Sequence, residues 1–319
     1  MNLPFRLEPC IPPSWARGGH AQTILGHILA SPKLSHKGRR VEIPVEDGDK
    51  LIGFVQEGNT TSVVYIFHGL SGSTDSTYIH RTAIMAQNLG HTVFLLNHRG
   101  CGEGAGLARG PYHSGRAEDL SAAISVGRKM FPRHRHIAIG FSMSGNALLL
   151  LQSGRRGEEK PDLGIAVNAP IHLEKCAHLL KSGMNRVYDI RFYLQCKRDA
   201  LIAQHEILKT TKIPLLMTLH DFDNLYTAPT GGFVNREDYY ASCSTYDRLK
   251  DIQSPTVILT AKDDPFVPFE SYANAELSKH ILFHAEEIGG HMGYLSKEKT
   301  PLGTMRWQDY ALHEILKST

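Results

Sequence analysis

The 319-residue chain carries 35 Lys and Arg against 32 Asp and Glu, a net charge of +3, which is too even a balance to point to a nucleic-acid partner. Hydrophobic residues at 41% and charged residues at 21% suit a soluble globular protein with a sizeable core. Five widely spaced cysteines (Cys10, Cys101, Cys176, Cys196 and Cys243) form no C-x-x-C pair, which argues against a disulfide framework or structural zinc.

Taken in chain order, residues 1–40 read as an N-terminal extension. Pro4, Pro12 and Pro13 interrupt it, so neither a signal peptide nor a bilayer-spanning stretch is expected, and a cytoplasmic location is the default. Residues 41–45 and 51–55 predict an early hairpin. Apolar, β-branched runs then follow at 63–67 (VVYIF), 93–96, 137–139, 163–167, 257–259 and 281–283. Their lack of alternation predicts strands covered on both faces. Helical patterns fall between them at 78–89, 117–130, 144–153, 271–279 and 306–317; in the second, Leu120, Ala123, Val126 and Met130 share one face. The basic tract Arg133-His134-Arg135-His136 reads as a solvated loop before a strand.

This alternation predicts one α/β domain over 1–319, with a mostly parallel sheet and helices on both faces. The rhythm breaks between Pro170 and Pro255. Helical stretches and aromatics such as Tyr188, Phe192, Phe222, Tyr226, Tyr239 and Tyr240 crowd that interval. It predicts a cap-like insertion at about 171–250, lying over one end of the sheet.

In an open parallel sheet, reactive groups belong at the carboxyl ends of strands. Ser142, in GFSMSGN at 140–146, falls between a predicted strand and helix, where a tight turn projects a hydroxyl above the sheet. Such a turn needs small residues two before and two after it. Gly140 and Ser144 serve Ser142, whereas Ser144 as nucleophile would need Ser142 and Asn146 and would already lie in the helix. Ser144 therefore reads as a small-residue substitute, and Ser144→Gly is expected to keep most activity.

An alcohol needs a base. His291, in GGHMG at 289–293 after the last predicted strand, is the best of eighteen histidines. An orienting carboxylate should follow the strand at 257–259, where Asp263 and Asp264 precede Pro265. Asp264 is favoured because it adjoins the rigid proline, leaving Asp263 as a turn-capping neighbour. For the oxyanion, the loop Phe67-His68-Gly69-Leu70 and the residue after the nucleophile offer the backbone N–H groups of Leu70 and Met143. His68 reads as a shaping residue for that loop. The glycine-rich run at 100–104 lacks dinucleotide spacing. Cys101 has no evident partner, and Asp221 and Asp223 beside His220 read as a hydrogen-bonded loop.

Jointly the motifs resemble the α/β-hydrolase superfamily and, within it, the YheT-like branch of bacterial hydrolases and eukaryotic abhydrolase-domain esterases and lipases. The resemblance spans nearly the whole chain: GHAQT at 19–23, HGLSGS at 68–73, NHRGCGEG at 97–104, YHSG at 112–115 and GFSMSGN at 140–146. It continues through FDNLYTAPTGGFVNREDYY at 222–240, AKDDPFVP at 261–268 and GGHMGY at 289–294. Where Ser144 stands, the family more often has glycine. The resemblance implies an α/β-hydrolase fold with a mostly parallel eight-stranded sheet and a helical cap. It also implies a triad of Ser142, Asp264 and His291, no cofactor or metal, and hydrolysis of small-molecule carboxylic esters through an acyl-enzyme. Acyl transfer to an alcohol by the same triad, and a catalytically silent binding protein, are the alternatives. Peripheral membrane contact and oligomeric state stay open.

Overall fold

The computed structural model describes residues 7–45, 48–203 and 207–319. Residues 1–6 of the N-terminal extension and 204–206 of the insertion lie outside the described residues. Eight strands build one sheet: β1 (Arg39–Pro44), β2 (Lys50–Gln56), β3 (Ser62–Phe67), β4 (Thr92–Asn97), β5 (Arg135–Phe141), β6 (Leu163–Val167), β7 (Thr256–Ala261) and β8 (Ile281–Glu286). Their spatial order is β1-β2-β4-β3-β5-β6-β7-β8. β2 is antiparallel to β1 and β4, and every other pair is parallel.

The run VVYIF shows why these strands are apolar throughout. Successive side chains point to opposite faces, so Val64 and Ile66 enter one core layer while Val63, Tyr65 and Phe67 enter the other. The first layer is closed by α2 (Thr77–Asn88) and the C-terminal helix Trp307–Lys317, and the second by α3 (Ala117–Met130) and α4 (Met143–Gln152). α4 is buried on all sides because Leu149 also packs on the segment between β6 and β7. A fully buried aliphatic side chain contributes roughly 1.5–3 kcal/mol. Truncations in α4 would thus remove a large share of a typical net stability of about 5–15 kcal/mol.

Between β6 and β7 the chain forms α5 (Leu173–Leu180), α6 (Arg186–Ala203), α7 (Arg236–Cys243) and short helical turns. Tyr188, Tyr193, Phe222 and Tyr226 join Leu219 and Ile171 in one apolar cluster, while Phe233, Tyr239 and Tyr240 build a second.

Three readings change. The N-terminal extension holds a ten-residue helix, α1 (Gly19–Ile28). The helix expected at 271–279 spans only Phe269–Ala273; beyond it the chain turns back, and the Ser278 amide donates to the Leu249 carbonyl at 3.3 Å. The basic tract is not all loop, since Arg135 opens β5 and His136 is buried, its Nδ1 2.7 Å from the Tyr65 hydroxyl.

The NHRGCGEG segment is anchored by buried Arg99. Its guanidinium donates to Asp119 at 2.8 and 2.9 Å and to Asp49 at 2.9 Å. Removing one partner of such a buried network strands the other charges, at a cost of about 3–5 kcal/mol.

Candidate active site

β5 ends at Phe141, and the next residue breaks the backbone. Ser142 has φ 53° and ψ −120°, a conformation costing on the order of 1–3 kcal/mol for a residue with a Cβ. The surroundings hold it there: its N–H donates to the Val167 carbonyl at 2.8 Å, and its own carbonyl accepts from Gly145 and Asn146 as α4 begins. A Cβ at Gly140 would stand 2.5 Å from the Ser144 carbonyl oxygen. Glycine is therefore required at 140, and the close approach is to Ser144's backbone rather than its side chain.

The loops after β7 and β8 bring the other two residues to this turn. His291 Nε2 is 2.9 Å from Ser142 Oγ, and His291 Nδ1 is 2.7 Å from Asp264 Oδ2. Asp264 rather than Asp263 faces the imidazole. The amides of Phe266 and Val267 donate to Asp264 Oδ1 at 3.1 and 3.0 Å, and Asn168 Nδ2 donates to Oδ2 at 2.8 Å. With the carboxylate on Nδ1, the tautomer protonated at Nδ1 leaves Nε2 free to accept the serine proton. Asp263 caps the histidine loop, its Oδ1 accepting from Gly289 and Gly290 at 2.8 Å each. Burial raises its pKa above the ordinary carboxylate value.

Sequence reasoning missed Asn168 and Tyr294. Asn168 sits at φ 48° just past β6. Its side-chain N–H groups donate to Asp264 and to the Gly290 carbonyl, and its oxygen accepts from the Tyr294 hydroxyl at 2.9 Å. Its place at a strand's carboxyl end was the available signal. Also missed was the role of α1, which packs against the histidine loop. A Cβ at Gly26 would come 2.5 Å from Gly293 Cα, and the Thr23 hydroxyl accepts from the His291 amide at 2.8 Å.

Ser144 is not a passive small residue. Fully buried, its Oγ lies 2.7 Å from His98 Nε2 and 2.8 Å from the Tyr112 hydroxyl, and it donates to the His68 carbonyl. His98 Nε2 donates to Ser144 Oγ, and the single Tyr112 hydroxyl proton is shared between Ser144 Oγ and the His68 carbonyl, 3.0 Å away, which also accepts from Ser144. Ser144 thereby ties the serine turn to the peptide that leads into Gly69 and Leu70. His68 shapes the same loop: its Nδ1 is 2.8 Å from the Gly69 carbonyl, and its Nε2 accepts from the His98 amide at 3.2 Å. Burial pushes the His68 pKa down to about 4 and that of His98 well below its ordinary value, so both rings are neutral at pH 7.

Two cavities meet at Ser142. One, of about 110 Å³, lies under the β6–β7 segment and is walled by Leu70, Met143, Leu173, Leu180, Leu219 and Val267 among others. The second is a larger groove of about 380 Å³ along α1 and the loop after β3, walled also by His291. Met143 opens α4, so its N–H belongs to the first turn, which has no partner within the helix.

The remaining candidates lie elsewhere. Burial pushes the Cys101 thiol well above its ordinary pKa, unsuited to a nucleophile. His220 and Asp221 sit in a helical turn capped by Thr218, with Arg236 Nη1 3.0 Å from His220 Nδ1.

A family model described as Serine aminopeptidase, S33, matches residues 58–281. The chain belongs to that family. YheT of Escherichia coli (strain K12), whose name assigns it provisionally to the esterases, is 30% identical over 288 residues, 86% of this chain and 84% of its own. Phospholipase ABHD3 of Mus musculus is 24% identical over 311 residues, covering 92% of this chain and 75% of its own. The Pyrococcus furiosus esterase Pf2001 shares the fold, with a TM-score of 0.58 at 18% identity over 98% of each chain. This hydrolase is therefore an enzyme of the YheT-like branch, of the esterase and lipase kind, on an α/β-hydrolase fold. Among its described residues no helix is long and apolar enough to cross a membrane.

Proposed function

We propose that the enzyme cleaves lipophilic carboxylic esters with Ser142 as nucleophile, His291 as general base and acid, and Asp264 as the carboxylate that orients it. The observation that carries this reading is the continuous relay from Ser142 Oγ through His291 to Asp264, at 2.9 and 2.7 Å. As Ser142 Oγ bonds to the ester carbonyl carbon, its proton moves to His291 Nε2. The resulting oxyanion faces the Leu70 and Met143 amides; a preorganised donor of this kind is worth about 2.7–4 kcal/mol in the transition state. Collapse breaks the bond to the alkoxide, which leaves with the proton from His291. Water then gives a proton to His291 and its oxygen to the acyl carbon, and the bond to Ser142 breaks as the proton returns.

The segment at 171–250 would act as the cap, its apolar walls taking the acyl chain. No cofactor enters any step. Turnover of p-nitrophenyl esters from acetyl to palmitoyl tests the reading. Ser142→Ala should lower it on the order of 10³-fold or more, and wild-type rates in that variant would overturn it. Ethyl esters formed with added ethanol would mark acyl transfer as a second outlet of the same acyl-enzyme.

A further inference from the structure

Only one of the two cavities at Ser142 touches the imidazole. His291 and Met292 wall the larger groove, whereas His291 is not among the residues lining the smaller apolar cavity. In ester cleavage the imidazole must come within hydrogen-bond reach of the leaving alkoxide to protonate it. The alcohol half of the substrate therefore belongs in the groove and the acyl half in the apolar cavity. This step rests on the serine-esterase reading above.

Among the described residues, besides the two histidines His27 and His291, three charged side chains wall the groove: Asp75, Arg81 and Arg191. Asp75 is bridged by Lys37 at 2.8 Å, and Arg81 by buried Asp309 at 2.9 Å. Arg191, on α6, faces no carboxylate within ion-pair distance among the described residues. Instead its Nη2 lies 2.8 Å from Nε2 of His27, on α1. Partial desolvation of the exposed ring, and then the arginine's own charge, lower the His27 pKa. The ring is thus neutral at pH 7 and accepts from the guanidinium, aiming it without neutralising it. An exposed arginine on a helix is ordinarily just solvated. Here a second element braces it, on the wall of a groove that leads to Ser142, and its remaining N–H donors stay available.

We propose that Arg191, braced by His27, is a specificity residue that binds an anionic oxygen group, phosphate or carboxylate, on the alcohol half of the ester. Its planar fork suits bidentate contact with either group. The compensated pairs elsewhere in the groove leave its positive charge as the one an anion would meet.

The test compares decanoyl monoesters of glycerol, glycerol 3-phosphate and glyceric acid, each below its micelle-forming concentration. At least one anionic ester should exceed the neutral one in kcat/KM by roughly tenfold at low ionic strength, mainly through KM, as expected for a charge-assisted hydrogen bond. The phosphate and carboxylate arms show which anion fits. Added salt should shrink the advantage. Arg191→Gln should bring the ratio close to 1, Arg191→Lys should keep part of it, and Arg191→Glu should invert it. Equal kcat/KM for all three esters in the wild type, or a ratio that survives in Arg191→Gln, overturns the Arg191 assignment alone. If the folded enzyme turns over none of them, nor any p-nitrophenyl ester, the esterase reading falls and this inference with it.

Discussion

The carboxyl end of the sheet and the segment between β6 and β7 face each other across Ser142 and are held together differently. At the sheet end, position is set by backbone: strand register, the left-handed turn at Ser142, and carbonyls and amides that cap the Asp264 and His291 loops. Across the gap, aromatic packing sets position, and the outer surface still exposes Val187, Leu194, Leu201 and Leu216. Backbone-held groups tolerate almost no displacement, so damage there should stop the chemistry. Packed side chains adjust to one another, so damage there should change which ester is accepted.

The sharpest contrast comes from the two adjacent carboxylates. Asp264→Asn keeps the shape but favours the wrong imidazole tautomer, and kcat should fall on the order of 10⁴-fold. Asp263→Asn, which keeps an oxygen for the Gly289 and Gly290 amides, should lose far less. Steady-state kinetics of the pair checks this, and equal losses would mean that the relay is not what distinguishes them.

Next in size is Ser144→Gly. Removing the hydroxyl leaves the buried His98 Nε2 without its partner, while the Tyr112 hydroxyl keeps its bond to the His68 carbonyl. Denaturant unfolding should show a loss of about 1–3 kcal/mol. Because the same contacts hold the Leu70 loop, kcat should drop roughly ten- to a hundredfold with KM changed less. Full activity at unchanged stability would return Ser144 to the role of a mere small residue.

The smallest effect lies under the β6–β7 segment. Burial pushes the Asp223 carboxyl, on the wall of the apolar cavity, up to about 6. Hydrogen bonds from Thr227 and Tyr240 and the charge of Arg236 pull against that, while Asp189 adds to it. An acid raised in the fold gives stability that is fully present below the ordinary value of 3.8 and is lost as pH rises through about 6. In the same window the cavity gains a negative charge. KM for long-chain esters should therefore rise a few-fold from about pH 5 to 7, while acetyl esters change less. Asp223→Asn should flatten both trends.

Much of this was legible in the sequence where local pattern and tertiary structure agree. Strand β6 and helix α3 match their predicted ranges because burial on both faces, or on one helical stripe, leaves a periodic trace. Ser142, Asp264 and His291 could be named because strand ends in a parallel sheet converge on one edge. Helix α1 could not. Its sequence GHAQTILGHI has no side-chain N-cap, and it is secured by distant contacts such as Gln22 Nε2 to the Leu295 carbonyl at 3.1 Å. The Ser144 hub was invisible for the same reason, since it joins His68, His98 and Tyr112, which are far apart in the chain. A hydroxyl in place of a family glycine reads as a defect until its partners are known.

The central claim is that the residue aimed at His291 reacts and the serine two positions later does not. Peptide mapping by mass spectrometry after reaction with a fluorophosphonate tests it most directly. A single adduct on Ser142 is expected, absent in Ser142→Ala and present in Ser144→Ala. An adduct on Ser144, or no adduct on folded enzyme that still hydrolyses esters, would contradict it.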